Sequence, residues 1–135
     1  MKRRDFLVLS AAASLTPYAL HAAEPLQYTP GAAEAAMDAG KIVLLDFWAS
    51  WCSTCAAQER VLADLKAENP AYLENIVFFI VDWVKYGKGD LSKSLKIPRR
   101  STLVALKGRE ELGRIVAGTS KREIKALLDM AMAAA

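Results

Sequence analysis

Cys52 and Cys55 are the only cysteines in the 135-residue chain, and Ser53 and Thr54 separate them. Ahead of them, Ile42 to Phe47 is an apolar, β-branched run short enough to be a buried strand; from Cys52 to Glu68 the sequence favours helix. The pair therefore falls at a strand–helix junction. There a thiolate at Cys52 lies near unpaired backbone N–H groups and the positive end of the helix dipole, which lowers its pKa. Cys55, three residues on and on the same helix face, is within reach to close a small disulfide ring. Such a pair accepts a mixed disulfide on its first sulfur and resolves it with its second, so Cys52 is the expected nucleophile and Cys55 the resolving thiol. Two other readings stand beside this one. A structural staple is weak, because a ring over two residues removes little chain entropy. Half of a metal site is incomplete unless two chains share the metal.

Asp46 interrupts the apolar run. An acid in such a strand should have a raised pKa, which suits it to shuttle a proton near neutrality; the alternative is a strand-end carboxylate bonded to backbone. Trp48 and Trp83 read as packing residues. Lys85-Tyr86-Gly87-Lys88-Gly89-Asp90 has the Gly and Lys of a phosphate cradle but neither its spacing nor a helix starting at the lysine, and so reads as a surface loop.

The elements that must position these residues follow from pattern. Glu24 to Thr29 is a short extended lead-in. Gly31 to Ala39 is Ala-rich and helical, with Pro30 before it and Gly40 after. The helix that opens at Cys52 carries Val61, Leu62 and Leu65 on one face, and Asn69-Pro70 stops it. Ile76 to Val81 is a second buried strand; Asp82 to Asp90 is a loop, followed by a short helix over Leu91 to Leu95. Thr102 to Leu106, a turn at Lys107 to Glu110, and Glu111 to Ala117 read as a hairpin. Ser120 and Glu123 have capping-box spacing, and Ile124, Leu127, Leu128 and Ala131 follow at helical intervals. This order predicts an α/β fold with one mixed sheet covered by helices on both faces.

Composition narrows the function classes. With 53% hydrophobic and 24% charged residues, the chain has ordinary globular composition. No apolar run reaches the length of a membrane span. A net charge of +3 is too weak and dispersed for a nucleic-acid footprint. Lys2, Arg3 and Arg4, the mostly apolar stretch Phe6 to Leu20, and Ala22-Ala23 have the three parts of a secretory signal peptide. Arg3-Arg4-Asp5-Phe6-Leu7 resembles a twin-arginine signal; a general secretory signal with two arginines is the alternative, and either directs the chain to the periplasm. We therefore expect a signal peptide over 1–23, a domain over 24–135, and no stable membrane insertion after processing. Removing the leader also removes His21, the only histidine, so imidazole chemistry and histidine metal ligation lose their candidate.

Leu45-Asp46-Phe47-Trp48-Ala49-Ser50-Trp51-Cys52-Ser53-Thr54-Cys55 resembles the active-site segment of the thioredoxin-like family, and the element order matches that fold from Leu26 onward. The resemblance implies an exported bacterial thiol:disulfide oxidoreductase, monomeric and without a cofactor, acting on disulfide-containing proteins. It implies that Trp51 flanks the reactive sulfur and that Asp46 is the carboxylate behind the pair. Three departures accompany it. The family's lysine near the buried acid has no counterpart in Val77-Phe78-Phe79-Ile80, so Asp46 should be harder to ionise. The active-site helix lacks a proline five residues after Cys55, so it should run straighter. The family's cis-proline slot, facing the cysteines, falls on Ser101; the rival alignment gives it to Pro98. A cis bond before Ser101 would cost about 3 kcal/mol, so trans is expected.

Either alignment puts Arg99-Arg100 at the active-site rim. One of these cations is expected to stabilise the Cys52 thiolate and select an acidic partner surface, with Arg100 and Ser101 joining Trp51 in partner binding; two solvated loop arginines are the alternative. Because Ser53-Thr54 places no histidine between the cysteines, the expected direction is reduction of partner disulfides or relay of electrons from a membrane thiol donor. The rival functions are a periplasmic disulfide oxidant, an iron–sulfur or copper module with the same fold, and a non-catalytic interaction domain.

Overall fold

A computed structural model describes residues 24–135, and the segment 1–23, expected from its sequence to be a signal peptide, lies outside the described residues. The chain runs through β1 (Leu26–Gln27), α1 (Ala32–Asp38), β2 (Ile42–Trp48), α2 (Ser53–Glu68), α3 (Ala71–Asn75) and β3 (Ile76–Asp82). It continues through α4 (Trp83–Tyr86), α5 (Asp90–Ser94), β4 (Thr102–Lys107), β5 (Glu110–Val116) and α6 (Lys121–Ala133). The strands form one mixed sheet in the order β1-β3-β2-β4-β5. β1, β3 and β2 are mutually parallel; β4 runs antiparallel to β2, and β5 to β4.

Side-chain alternation divides β2 between two layers. Ile42 and Leu44 join Leu62 and Leu65 of α2, Tyr72 of α3 and Ile124, Leu127 and Leu128 of α6 in one core. Val43, Leu45 and Phe47 face the opposite side, where Ala33 and Met37 of α1 and Leu91 of α5 complete a second core. Both faces of the sheet are thus covered, which is why β2 and β3 read as continuous apolar runs rather than alternating ones. Asp46 belongs by parity to the α2 layer.

The structure adds three elements to the pattern expected from sequence. The lead-in pairs Leu26 with Phe79 as an edge strand. After Pro70, which occupies the N-cap position, the chain makes a further turn of helix, α3, that buries Tyr72. The segment read as a loop from Asp82 starts with α4, because the Asp82 carboxylate accepts the N–H groups of Val84 and Lys85 as an N-cap. The closing helix behaves as its spacing implied: Ser120 Oγ accepts the Glu123 N–H.

Candidate active site

Cys52 is the N-cap residue of α2, and its Sγ accepts the Cys55 N–H at 3.2 Å. The two cysteines are joined as a disulfide with Cα atoms 5.2 Å apart. Both are buried, and Ala49, Trp48 and Trp83 pack around them. Trp83 also meets Phe47 edge to face, which ties the sulfur pocket to the core beneath it. A thiolate formed at Cys52 would lie at the positive end of a 16-residue helix, beside a backbone donor already aimed at the sulfur. That helix runs from Ser53 to Glu68 without interruption.

Ser101 fills the position opposite the sulfurs. Its Oγ lies 3.0 Å from Cys52 Sγ and 3.1 Å from Cys55 Sγ. Among the described residues no peptide bond is cis, and Ser101 instead takes a left-handed backbone conformation, φ 62°. For a residue with a Cβ that conformation costs on the order of 1–2 kcal/mol, and it persists only where surrounding contacts hold it. They do so here. The Ser101 N–H donates to Phe47 O at 2.7 Å, and its carbonyl accepts from Ala117 N at 2.8 Å and Gln58 Nε2 at 2.9 Å. Pro98 is exposed, three residues upstream.

Gln58 was not singled out from the sequence. It is fully buried on the α2 face that carries Cys55, Leu62 and Leu65, and its Nε2 also donates to Gly118 O at 2.9 Å. One amide thus links the active-site helix to the loops before β4 and after β5. Its spacing from Cys55, one helical turn, was the available signal.

The rim is formed by Trp51, 62% exposed, with the Arg100 guanidinium 4.4 Å from its ring centroid. This is a cation–π stack one residue before the reactive sulfur. Arg99 Nε donates to the Arg100 carbonyl at 3.0 Å. The two arginines therefore divide the work: Arg100 covers the tryptophan, and Arg99 braces the backbone.

Asp46 is buried, and its Oδ1 has no hydrogen-bond partner among the described residues. It lines a cavity of about 240 Å³ together with Glu59, Leu62, Ala63 and Lys66 of α2. Burial pushes its pKa up to about 7, Glu59 adds to the rise, and Lys66 opposes it. β3 brings no lysine beside Asp46. Its register partner on β3 is Ile80, as the sequence implied, but Lys66 supplies a positive charge from the helix instead. Glu59, Leu62, Ala63 and Lys66 recur at i, i+3, i+4 and i+7, so they share one helix face. The Lys66 ammonium sits 4.1 Å from the Phe78 ring centroid, and burial lowers its pKa. Among the described residues, no group of three or more His, Cys, Asp or Glu side chains is placed to hold a metal ion.

Comparison with known proteins agrees with this geometry. A thioredoxin-like family model matches residues 24–108. An H-type thioredoxin of Brassica campestris is 33% identical over 95 residues, covering 70% of this chain and 72% of that one. Another, of Fagopyrum esculentum, is 36% identical over 89 residues, covering 66% and 71%. Among solved structures, Trxlp from Edwardsiella tarda superposes with a TM-score of 0.65 at 28% identity, covering 77% of this chain and 98% of that chain. A Malassezia sympodialis thioredoxin, at 20% identity and a TM-score of 0.64, shares the fold. The chain belongs to the thioredoxin-like family. With Cys52 and Cys55 at the head of α2, it is a thiol:disulfide oxidoreductase.

Proposed function

We propose that the chain is an exported reductase of protein disulfides, or an electron relay to them, recharged by a membrane thiol donor. The observation that carries the reading is the Cys52 sulfur at the α2 N-cap, with the Ser101 hydroxyl in reach of both sulfurs. In the dithiol form, the Cys52 thiolate attacks a partner disulfide. One Cys52–partner bond forms, the partner's own disulfide breaks, and its second sulfur leaves as a thiolate that takes up a proton. Cys55 then loses its proton and attacks the Cys52 sulfur. The Cys52–Cys55 bond forms and the partner departs fully reduced. Two electrons have passed from the pair to the partner.

Ser101 stabilises the Cys52 thiolate by donating its hydroxyl proton in a hydrogen bond, a contact stronger to a charged sulfur than to a neutral one. Asp46, with a pKa near neutrality, takes the proton released by Cys55. Trp51 and Arg100 form the ledge on which the partner chain rests. The direction follows from Ser53-Thr54, which places no cation between the cysteines to favour the reduced state strongly. The signal-like 1–23 segment, with Arg3-Arg4, supports export to the periplasm.

The test is the reduction potential of the Cys52–Cys55 couple in a glutathione or dithiothreitol buffer. A value near or below about −270 mV supports a reductant, and one near about −120 mV assigns an oxidant instead. Cell fractionation of the full chain with and without Arg3→Lys/Arg4→Lys tests the route. Loss of the periplasmic pool in the variant supports twin-arginine export, and an unchanged pool points to the general pathway.

A further inference from the structure

The charge of the domain is unevenly placed. From Trp83 to Arg100 the chain carries six basic residues (Lys85, Lys88, Lys93, Lys96, Arg99 and Arg100) against one acid, Asp90, a net +5. Residues 24–82 carry three basic and nine acidic side chains, and residues 101–135 carry six and four, so the remainder of the domain is −4. The four lysines of this segment are exposed. The ion pairs among the described residues all use cations elsewhere, on β5, α6 and the β4–β5 turn. Such a cluster repels itself, a cost that a folded domain carries without return unless something of opposite charge approaches it.

Its position relates it to the site. At one end of the segment, Trp83 packs with Trp48 around Cys52 and Cys55. At the other end, Arg100 lies on Trp51, and the next residue, Ser101, touches both sulfurs. The α4–α5 excursion therefore leaves the reactive pair and returns to it, and both of its ends border the surface through which a partner disulfide must reach Cys52.

We propose that the 83–100 segment is a docking face for proteins whose target disulfide is flanked by aspartate and glutamate. The proposal rests on the oxidoreductase reading and adds the chemistry of the partner. Complementary charge steers encounter and suppresses wrong partners more than it tightens the final complex. The expected signature is thus a rate preference that salt weakens, since surface charges are screened within about 8 Å at physiological ionic strength.

The experiment uses the reduced full chain and three disulfide probes. Two are peptides of equal length carrying one disulfide, flanked in one by Asp and Glu and in the other by Lys. The third is the uncharged bis(2-hydroxyethyl) disulfide, whose rate normalises each protein for its Cys52–Cys55 chemistry. At low salt the acidic peptide is expected to be reduced about tenfold faster than the basic one, the ratio falling towards one in 0.5 M salt, as charge steering requires (roughly 10- to 1000-fold effects). Lys85→Glu/Lys93→Glu should lower or invert the ratio. Lys41→Glu/Lys107→Glu, an equal charge change at the opposite end of β2, should leave it in place. Equal normalised rates for the two peptides overturn the docking face, as does an equal response to both double variants. Sedimentation with phosphatidylglycerol vesicles without any peptide preference also overturns it, in favour of a lipid surface. No turnover of any probe overturns the oxidoreductase reading itself.

Discussion

Two regions next to α2, the one around the sulfurs and the one around the Asp46 carboxyl, are built on opposite plans. On the sulfur side, polar groups are connected: Ser101 N–H to Phe47 O, Ser101 O to Ala117 N and Gln58 Nε2, and Ser101 Oγ to both sulfurs. On the carboxylate side, Asp46 Oδ1 is buried without a partner among the described residues and opens onto a cavity. Covalent chemistry needs atoms held within a few tenths of an ångström, and the connected side provides that. Proton transfer needs a group whose two charge states are close in free energy, and a buried carboxyl whose raised pKa is partly offset by a lysine provides that.

The sharpest break in the comparison is Cys52→Ser, which should lower reduction of a protein disulfide to background, about a thousandfold or more. Cys55→Ser should instead trap a Cys52–partner mixed disulfide, visible as a slower-migrating band on a non-reducing gel. Retained activity in Cys52→Ser would remove the nucleophile from the scheme.

Next in size is Asp46→Asn, whose effect on stability has a definite sign. Folding raises the Asp46 pKa from 3.8 to about 7, so over that interval the native state holds a proton that the unfolded state has released. Stability from this group is therefore full below pH 4 and is lost as pH rises to 7. Asp46→Asn should match the parent near pH 4 and exceed it at pH 8 by on the order of 4 kcal/mol in denaturant unfolding, while slowing turnover. Equal stability curves for the two proteins would show that the carboxyl ionises normally.

Gln58→Leu tests the connected side. It leaves the Ser101 and Gly118 carbonyls without their amide donor, and each lost bond costs about 1–3 kcal/mol. The midpoint of thermal unfolding should fall by several degrees at every pH, unlike the pH-dependent change at Asp46. The smallest expected effect is that of Ser101→Ala. It keeps the left-handed backbone penalty and removes only the hydroxyl, so it should slow alkylation of reduced Cys52 at mildly acidic pH by about tenfold through a raised thiol pKa. An unchanged alkylation profile would reduce Ser101 Oγ to a packing atom.

Much of this architecture was legible in advance where a local rule governed it. β2, β3 and α2 follow from continuous apolar runs and helical spacing, and α6 from Ser120 and Glu123. The elements that escaped, α3 and α4, are short helices stabilised by burial of Tyr72 and by the Asp82 cap rather than by periodicity. Of the site, the Cys52–Cys55 pair, the buried Asp46 and the Ser101 position could be read from the chain. Gln58 and Lys66 could not be weighted, because a polar residue on a helix declares its role only when the surface opposite it is known.

The sequence by itself determined the redox chemistry: two cysteines three residues apart at the head of a helix face one another through the helix repeat alone. Tertiary structure decided what surrounds them. It brought Ser101, 49 residues downstream of Cys52, against both sulfurs, set Lys66 across a cavity from Asp46, and laid Arg100 on Trp51. Those contacts depend on sheet register and on the return path of α4–α5, and neither is written in the spacing of any one segment.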